Sequence, residues 1–143
     1  MSQRLVIYTD GACKGNPGIG AYAAILMYGD TIKEVSGCVE HTTNNRMELM
    51  GVIEALKSLK RSCDIDIYTD SQYVKRGITE WISAWKQKNY KNVKNPELWQ
   101  ELDRLVVGHN IEWYWVKGHS GDKYNDMVDA LANKAISDHL GEE

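Results

Sequence analysis

Hydrophobic and polar positions change period several times along the chain, and each change predicts an element. Residues 4–8 form a short apolar, β-prone run that halts at Thr9-Asp10-Gly11. Residues 11–20 are rich in glycine and hold Asn16-Pro17-Gly18, which is turn chemistry. Residues 21–28 and 31–39 flank Gly29-Asp30 in the manner of a hairpin. From Thr42-Thr43 the period lengthens. Leu49, Val52, Ile53, Leu56 and Leu59 recur at helical spacing, with Glu54 and Lys57 on the polar side. Residues 65–69 predict a strand ending at Asp70, and residues 71–88 a helix broken near Gly77. Pro96-Glu97 opens another helix, with Leu98, Leu102 and Leu105 on one face. Residues 111–116 alternate like a strand, and residues 118–121 are a loop. Residues 125–140 close the pattern as a helix whose stripe is Val128, Leu131, Ala132, Ala135 and Ile136.

The predicted order is βββαβααβα. Strands alternating with helices in the second half demand parallel pairing through right-handed crossovers, whereas the hairpins of the first half are antiparallel. The expected fold class is therefore α/β, a mixed sheet with helices on its faces, forming one domain over residues 1–143.

Composition narrows the setting. The 143 residues are 43% hydrophobic and carry a net charge of -3. Overall charge thus gives no reason to expect a polyanionic partner, and any such partner must be met by local charge. No apolar run approaches the ~18 residues of a membrane span, and Met1-Ser2-Gln3-Arg4 leads into no long apolar stretch. A cytoplasmic protein is the expectation. No apolar stripe is left over once the core is assigned, so a monomer is expected. Cys13, Cys38 and Cys63 are odd in number and widely spaced, which suits neither a disulfide framework nor a zinc site. Gly18-Ile19-Gly20-Ala21-Tyr22-Ala23 imitates a dinucleotide fingerprint but leads into a strand pattern rather than a helix.

The candidate chemistry lies in carboxylates. Ile7-Tyr8-Thr9-Asp10 and Ile67-Tyr68-Thr69-Asp70 are the same tetrapeptide at two strand ends. If these strands are parallel neighbours, ~4.8 Å apart, both aspartates lie at one sheet edge. That edge is where open α/β sheets bind ligands. Glu48 and Asp129 sit early in helices, where an acid also serves simply to complement the helix dipole. Two carboxylates ~4 Å apart repel by about 4 kcal/mol at an effective dielectric constant of about 20. A cluster of them must hold protons or bind cations. Hard oxygen ligands suit Mg²⁺ or Mn²⁺, and a pair of such ions suits in-line displacement at phosphorus.

Residues 81–95 form the one locally basic stretch, with Lys86, Lys88, Lys91 and Lys94 and no acid. Trp81 and Trp85 are four apart and share a helix face, and Tyr90 follows. Core packing and a solvated face would explain these separately, but basic charge interleaved with aromatics favours nucleic acid.

Four ordered motifs resemble the type 1 ribonuclease H family over essentially the whole chain. They are Asp10-Gly11-Ala12-Cys13-Lys14-Gly15-Asn16-Pro17-Gly18, Thr42-Thr43-Asn44-Asn45-Arg46-Met47-Glu48-Leu49, Thr69-Asp70-Ser71-Gln72-Tyr73-Val74, and Val116-Lys117-Gly118-His119-Ser120-Gly121 with Asn125 and Asp129. The resemblance implies a five-stranded mixed sheet and a hydrolase that cuts the RNA strand of RNA–DNA hybrids, leaving 3′-hydroxyl and 5′-phosphate ends. It implies that Asp10, Glu48, Asp70 and Asp129 bind two Mg²⁺ ions, and that His119 serves proton transfer or product release. It places Asn16, Asn44, Asn45 and Gln72, with the backbone at Cys13 and Gly15, along the hybrid's minor groove, where the 2′-OH is read. Tyr73, Trp81 and Trp85 match a DNA-strand channel, and Lys86 and Lys88 a basic protrusion. Thr43 and Asn95 match a DNA-phosphate pocket. His41 stands there where many relatives have arginine, so affinity is expected to weaken as the histidine loses its charge with rising pH. The protrusion is also shorter and less basic than in well-known bacterial relatives. The rival readings are a DNA-directed nuclease of the same superfamily and a non-catalytic hybrid-binding module. The motif ending in Glu48 opposes the first, and the presence of all four acids opposes the second.

Overall fold

The computed structural model describes residues 4–118 and 120–141. Its sheet has five strands in the order β3-β2-β1-β4-β5. These are β1 (Leu5–Lys14), β2 (Gly18–Tyr28), β3 (Thr31–Thr42), β4 (Asp64–Thr69) and β5 (Asn110–Trp115). The first three pair antiparallel, while β4 runs parallel to both β1 and β5. The expected mixed sheet is what forms.

The strands of the first half outrun their sequence pattern. β1 continues past Asp10 because Gly11 and Ala12 stay paired with Tyr22 and Ala21 on β2. Gly11 is no breaker here; it makes room. A Cβ on Gly11 would stand 2.5 Å from the backbone nitrogen of Glu48, so only glycine lets the following helix lie this close to the strand. Asp10 is consequently an interior residue of β1, level with the end of β4.

Helix α1 (Asn44–Lys57) starts at Thr43, whose Oγ1 accepts from the Arg46 backbone N–H at 3.3 Å. Its apolar stripe packs with Leu5, Ile7, Ile65 and Ile67 of the sheet. Residues 72–87 divide into α2 (Gln72–Arg76), a π-helical turn (Gly77–Trp81) and α3 (Ile82–Gln87). The expected break at Gly77 is thus a widening rather than a stop, and it lies against Trp99. A Cβ on Gly77 would fall 2.1 Å from the Trp99 ring. Trp99 is fully buried, on α4 (Pro96–Val106). Helix α5 (Lys123–Leu140) covers the other face, where Val128 and Ala132 meet Tyr8, Ala23 and Ile25. Asp122 Oδ1 caps it by accepting from the N–H groups of Tyr124 and Asn125. No described helix is long and apolar enough to cross a membrane.

Candidate active site

The repeated tetrapeptides pair residue for residue: Ile7 with Ile67, Tyr8 with Tyr68 and Thr9 with Thr69. That register sets Asp10 beside Asp70. Glu48 arrives from α1 over Gly11, one turn after the Thr43 cap. Carboxylate oxygens of Asp10, Glu48 and Asp70 lie within 4.8 Å of one another. Asp10 is 3% exposed and Glu48 5%. Asp129, on α5, shares a hydrogen bond with Asp10 and stands outside the tight group of three.

The cluster is electrostatically frustrated. Burial, then repulsion from Asp70, pushes the Asp10 pKa up to about 8, although the Gly11 N–H opposes this by donating to Asp10 Oδ1 at 2.8 Å. Burial, then Asp10 and Asp70, holds Glu48 well above the usual carboxylate range. Glu48 Oε1 is buried with no hydrogen-bond partner among the described residues. Oxygen-only donors, mutual repulsion and an orphaned carboxylate oxygen are what a hard divalent cation would satisfy. The acids therefore fit a metal.

The surroundings form two flanks. On one, Asn16 Oδ1 accepts from the Asn44 N–H at 3.0 Å, tying the glycine-rich turn to the start of α1. Cys13 Sγ lies 3.4, 3.6 and 3.5 Å from the carbonyls of Gly15, Gly18 and Thr42. Gly15 has φ +70, open to glycine. Asn44, Asn45 and His41 are exposed, as is Gln72 at the start of α2.

On the other flank a hydrogen-bonded network joins helices α1, α2 and α4. Tyr73 Oη accepts from Asn95 Nδ2 at 3.1 Å and from Trp99 Nε1 at 3.0 Å. Asn95 Oδ1 accepts from Arg46 Nη1 at 3.0 Å. The Thr43 side chain caps the same Arg46, so Thr43, Asn95 and Tyr73 sit in one unit. Trp85 meets Trp99 at 5.0 Å and Trp81 at 6.0 Å between ring centroids, so these tryptophans also pack the core edge. Lys86 is paired with Asp103 at 3.2 Å, whereas Lys88 is exposed.

Arg46 is the residue that sequence reasoning passed over. Its guanidinium bridges Asn95 and Glu97, the latter at 2.7 Å. The available signal was a cation in the first turn of α1, two residues before Glu48. His119 lies outside the described residues. Its neighbour Gly118 is close to the acids: a Cβ there would stand 3.0 Å from Asp70 Oδ2.

Asp10 and Glu48 are buried and Asp70 is half-buried. A cavity of about 730 Å³ between Leu5, Leu26 and Leu59 opens away from them.

Comparison with known proteins agrees with this geometry. The family profile described as RNase H matches residues 2–137. Proteins named Ribonuclease H from Francisella philomiragia subsp. philomiragia and Francisella tularensis subsp. novicida are each 56% identical to the chain. Those alignments cover 96% of this chain and 93% and 94% of theirs. Among solved structures, LC9-RNase H1, described as a type 1 RNase H with the type 2 active-site motif, is similar with a TM-score of 0.87 and 32% identity, over 96% of this chain and 74% of that one. RNase H1 from the halophilic archaeon Halobacterium salinarum gives 0.70 and 30%, over 94% and 98%. From its motifs, its sheet order and these relatives together, the chain belongs to the ribonuclease H family, among the type 1 members.

Proposed function

We propose that this protein is an endoribonuclease that hydrolyses the RNA strand of RNA–DNA hybrids, leaving 3′-hydroxyl and 5′-phosphate ends. The observation that carries the reading is the buried Asp10–Glu48–Asp70 cluster with its orphaned Glu48 Oε1, set between two polar flanks. Asp10, Glu48, Asp70 and Asp129 would hold divalent cations, Mg²⁺ in our reading, with Mn²⁺ as a substitute. Bound there, the ions would supply electrophilic charge for displacement at phosphorus.

The chain's own groups supply recognition. Asn16, Asn44, Asn45 and Gln72, with the backbone of Cys13 and Gly15, can both donate to and accept from a 2′-OH, which distinguishes RNA from DNA. Thr43, Asn95, Tyr73 and His41 face the DNA strand, and Arg46, bridged to Glu97, holds Asn95 in place beside them. Trp81, Trp85, Lys86 and Lys88 extend that contact. His119 moves a proton or speeds product release. The protein acts as one domain, as a monomer, in the cytoplasm.

A hybrid labelled on its RNA strand, incubated with Mg²⁺, tests the reading. The protein should cut that strand and leave labelled single-stranded DNA and RNA intact, and Asp10→Asn should be inert. Binding without cutting would favour a binding module, and cutting of plain DNA a DNA-directed relative.

A further inference from the structure

Three tyrosines cross the sheet beside the acids. Tyr8 pairs with Tyr68, and Tyr68 with Tyr114, residue opposite residue on β1, β4 and β5. Their rings stack, with centroids 4.6 Å apart at 7° and 4.8 Å apart at 17°. Tyr124, at the start of α5, leans on the inner end, 5.5 Å from Tyr8. Strand alternation sets this row on the same face as Asp10 and Asp70, which follow two residues later on β1 and β4.

Exposure climbs along the row. Tyr8 is 8% exposed, Tyr68 is half-buried and Tyr114 is 41% exposed. Topology is the reason: α5 packs on β1, β2 and β3, while β5 is an outermost strand. Among the described residues, Tyr68 is the one ring stacked on Tyr114. Cross-strand tyrosine pairs stabilise a sheet on their own account, which explains the inner rings. The outer ring ends the stack on solvent, and it does so next to the acids. Its neighbour Trp115 is 42% exposed, and the indole Nε1 donates to the Asp70 carbonyl at 3.0 Å.

Charge along the row is graded. At the end away from the acids, Asp66 is paired with Arg4 at 2.9 Å and Glu112 is exposed. Toward the acids, Lys117 is exposed and Lys123 lies over the Tyr124 ring at 5.4 Å. Asp122, which acts electrostatically on Tyr8 and Tyr68, stands on that side too, so it is the lysines, with cations on the acids, that would draw a polyanion there.

We propose that Tyr114, backed by Tyr68 and Tyr8, is a stacking platform for an unpaired nucleobase of the strand that the acids, once they carry cations, would cut. This rests on the hybrid-nuclease reading above. With strands ~4.8 Å apart and residues ~3.3 Å apart, Tyr114 lies roughly 8 Å from Asp70, or about two stacked nucleotide steps of ~3.4 Å. Bases inside a hybrid already stack on one another. The platform therefore engages the strand where pairing ends, at a junction of hybrid and single strand. Every base has a π face, so the contact is tolerant of sequence.

The test uses the full chain carrying Asp10→Asn, which prevents cutting. Affinity is measured for a blunt hybrid and for the same hybrid with its RNA strand extended, at one end or the other, by unpaired nucleotides beginning with 2-aminopurine. One of the two extensions should tighten binding about tenfold and quench the 2-aminopurine fluorescence. Adding Tyr114→Leu should remove both the gain and the quenching, and Tyr114→Phe should keep them. The ratio of extended to blunt affinity within each protein cancels any loss of folded material. No gain with Tyr114 intact, or an undiminished gain in Tyr114→Leu, overturns the proposal. Failure of the underlying reading looks different: the unaltered protein would leave the blunt hybrid uncut.

Discussion

Asp10 shows what this site demands of the fold. Burial, then repulsion from Asp70, pushes its carboxyl up to about 8 from an ordinary 3.8. Between those values the folded state binds more protons than the unfolded one, so this contribution to stability falls as pH rises from about 4 to about 8. Asp10→Asn should therefore be more stable than the parent at pH 8 in the presence of a chelator, by on the order of 2 kcal/mol in urea unfolding. The advantage should vanish near pH 4 and shrink when Mg²⁺ is added, while hybrid cleavage is lost at every pH. An unchanged midpoint at pH 8 would show that the cluster is not frustrated. Legibility at this scale was uneven for a physical reason. Asp10 and Asp70 could be paired from their shared Ile-Tyr-Thr-Asp context because strand register preserves sequence order. Glu48 and Asp129 could not, since an acid near a helix start already has an electrostatic use; only the motifs brought them in. Arg46 was illegible because its partners Asn95 and Glu97 are 49 and 51 residues away.

Elements were read well where one face is apolar, and misjudged where small residues hide the period. The stripes of α1 and α5 stood out in the pattern. β1 and β2 seemed to stop at glycines that in fact continue the ladder, because glycine there admits a neighbouring helix rather than ending a strand. Gly77 is the comparable position among the helices. Gly77→Ala would push a methyl group into the Trp99 ring, a rigid and fully buried neighbour, and should cost roughly 2–4 kcal/mol in denaturant unfolding. Tyr73→Phe probes the network that joins α1, α2 and α4. It removes the acceptor of two N–H donors, from Asn95 and Trp99. We expect a loss of about 1–3 kcal/mol in stability, with weaker hybrid binding, because Asn95 is no longer held. Binding that is unaltered in a destabilised Tyr73→Phe protein would remove this network from the substrate site.

For the molecule as a whole, a net charge of -3 must coexist with a polyanionic substrate. Binding should then depend on a few local cations. Lys88 and Lys91 are exposed on the basic segment, whereas Lys86 is shared with Asp103. Replacing both Lys88 and Lys91 with alanine should lower the slope of log affinity against log salt by up to about 2, and Lys86→Ala should lower it less. Equal slopes would move the phosphate contacts elsewhere. The sheet order carries one more consequence, for the birth of the protein. β1 is the middle strand, and it gains its second neighbour only when β4, some fifty residues later, has formed. The acids follow the same schedule: residues 10, 48 and 70, and lastly residue 129 on α5. Translation adds about 5–20 residues per second, so a growing chain spends seconds with its core sheet assembled and its fourth acid still inside the ribosome. Competence to cut nucleic acid is thereby withheld until α5 has emerged.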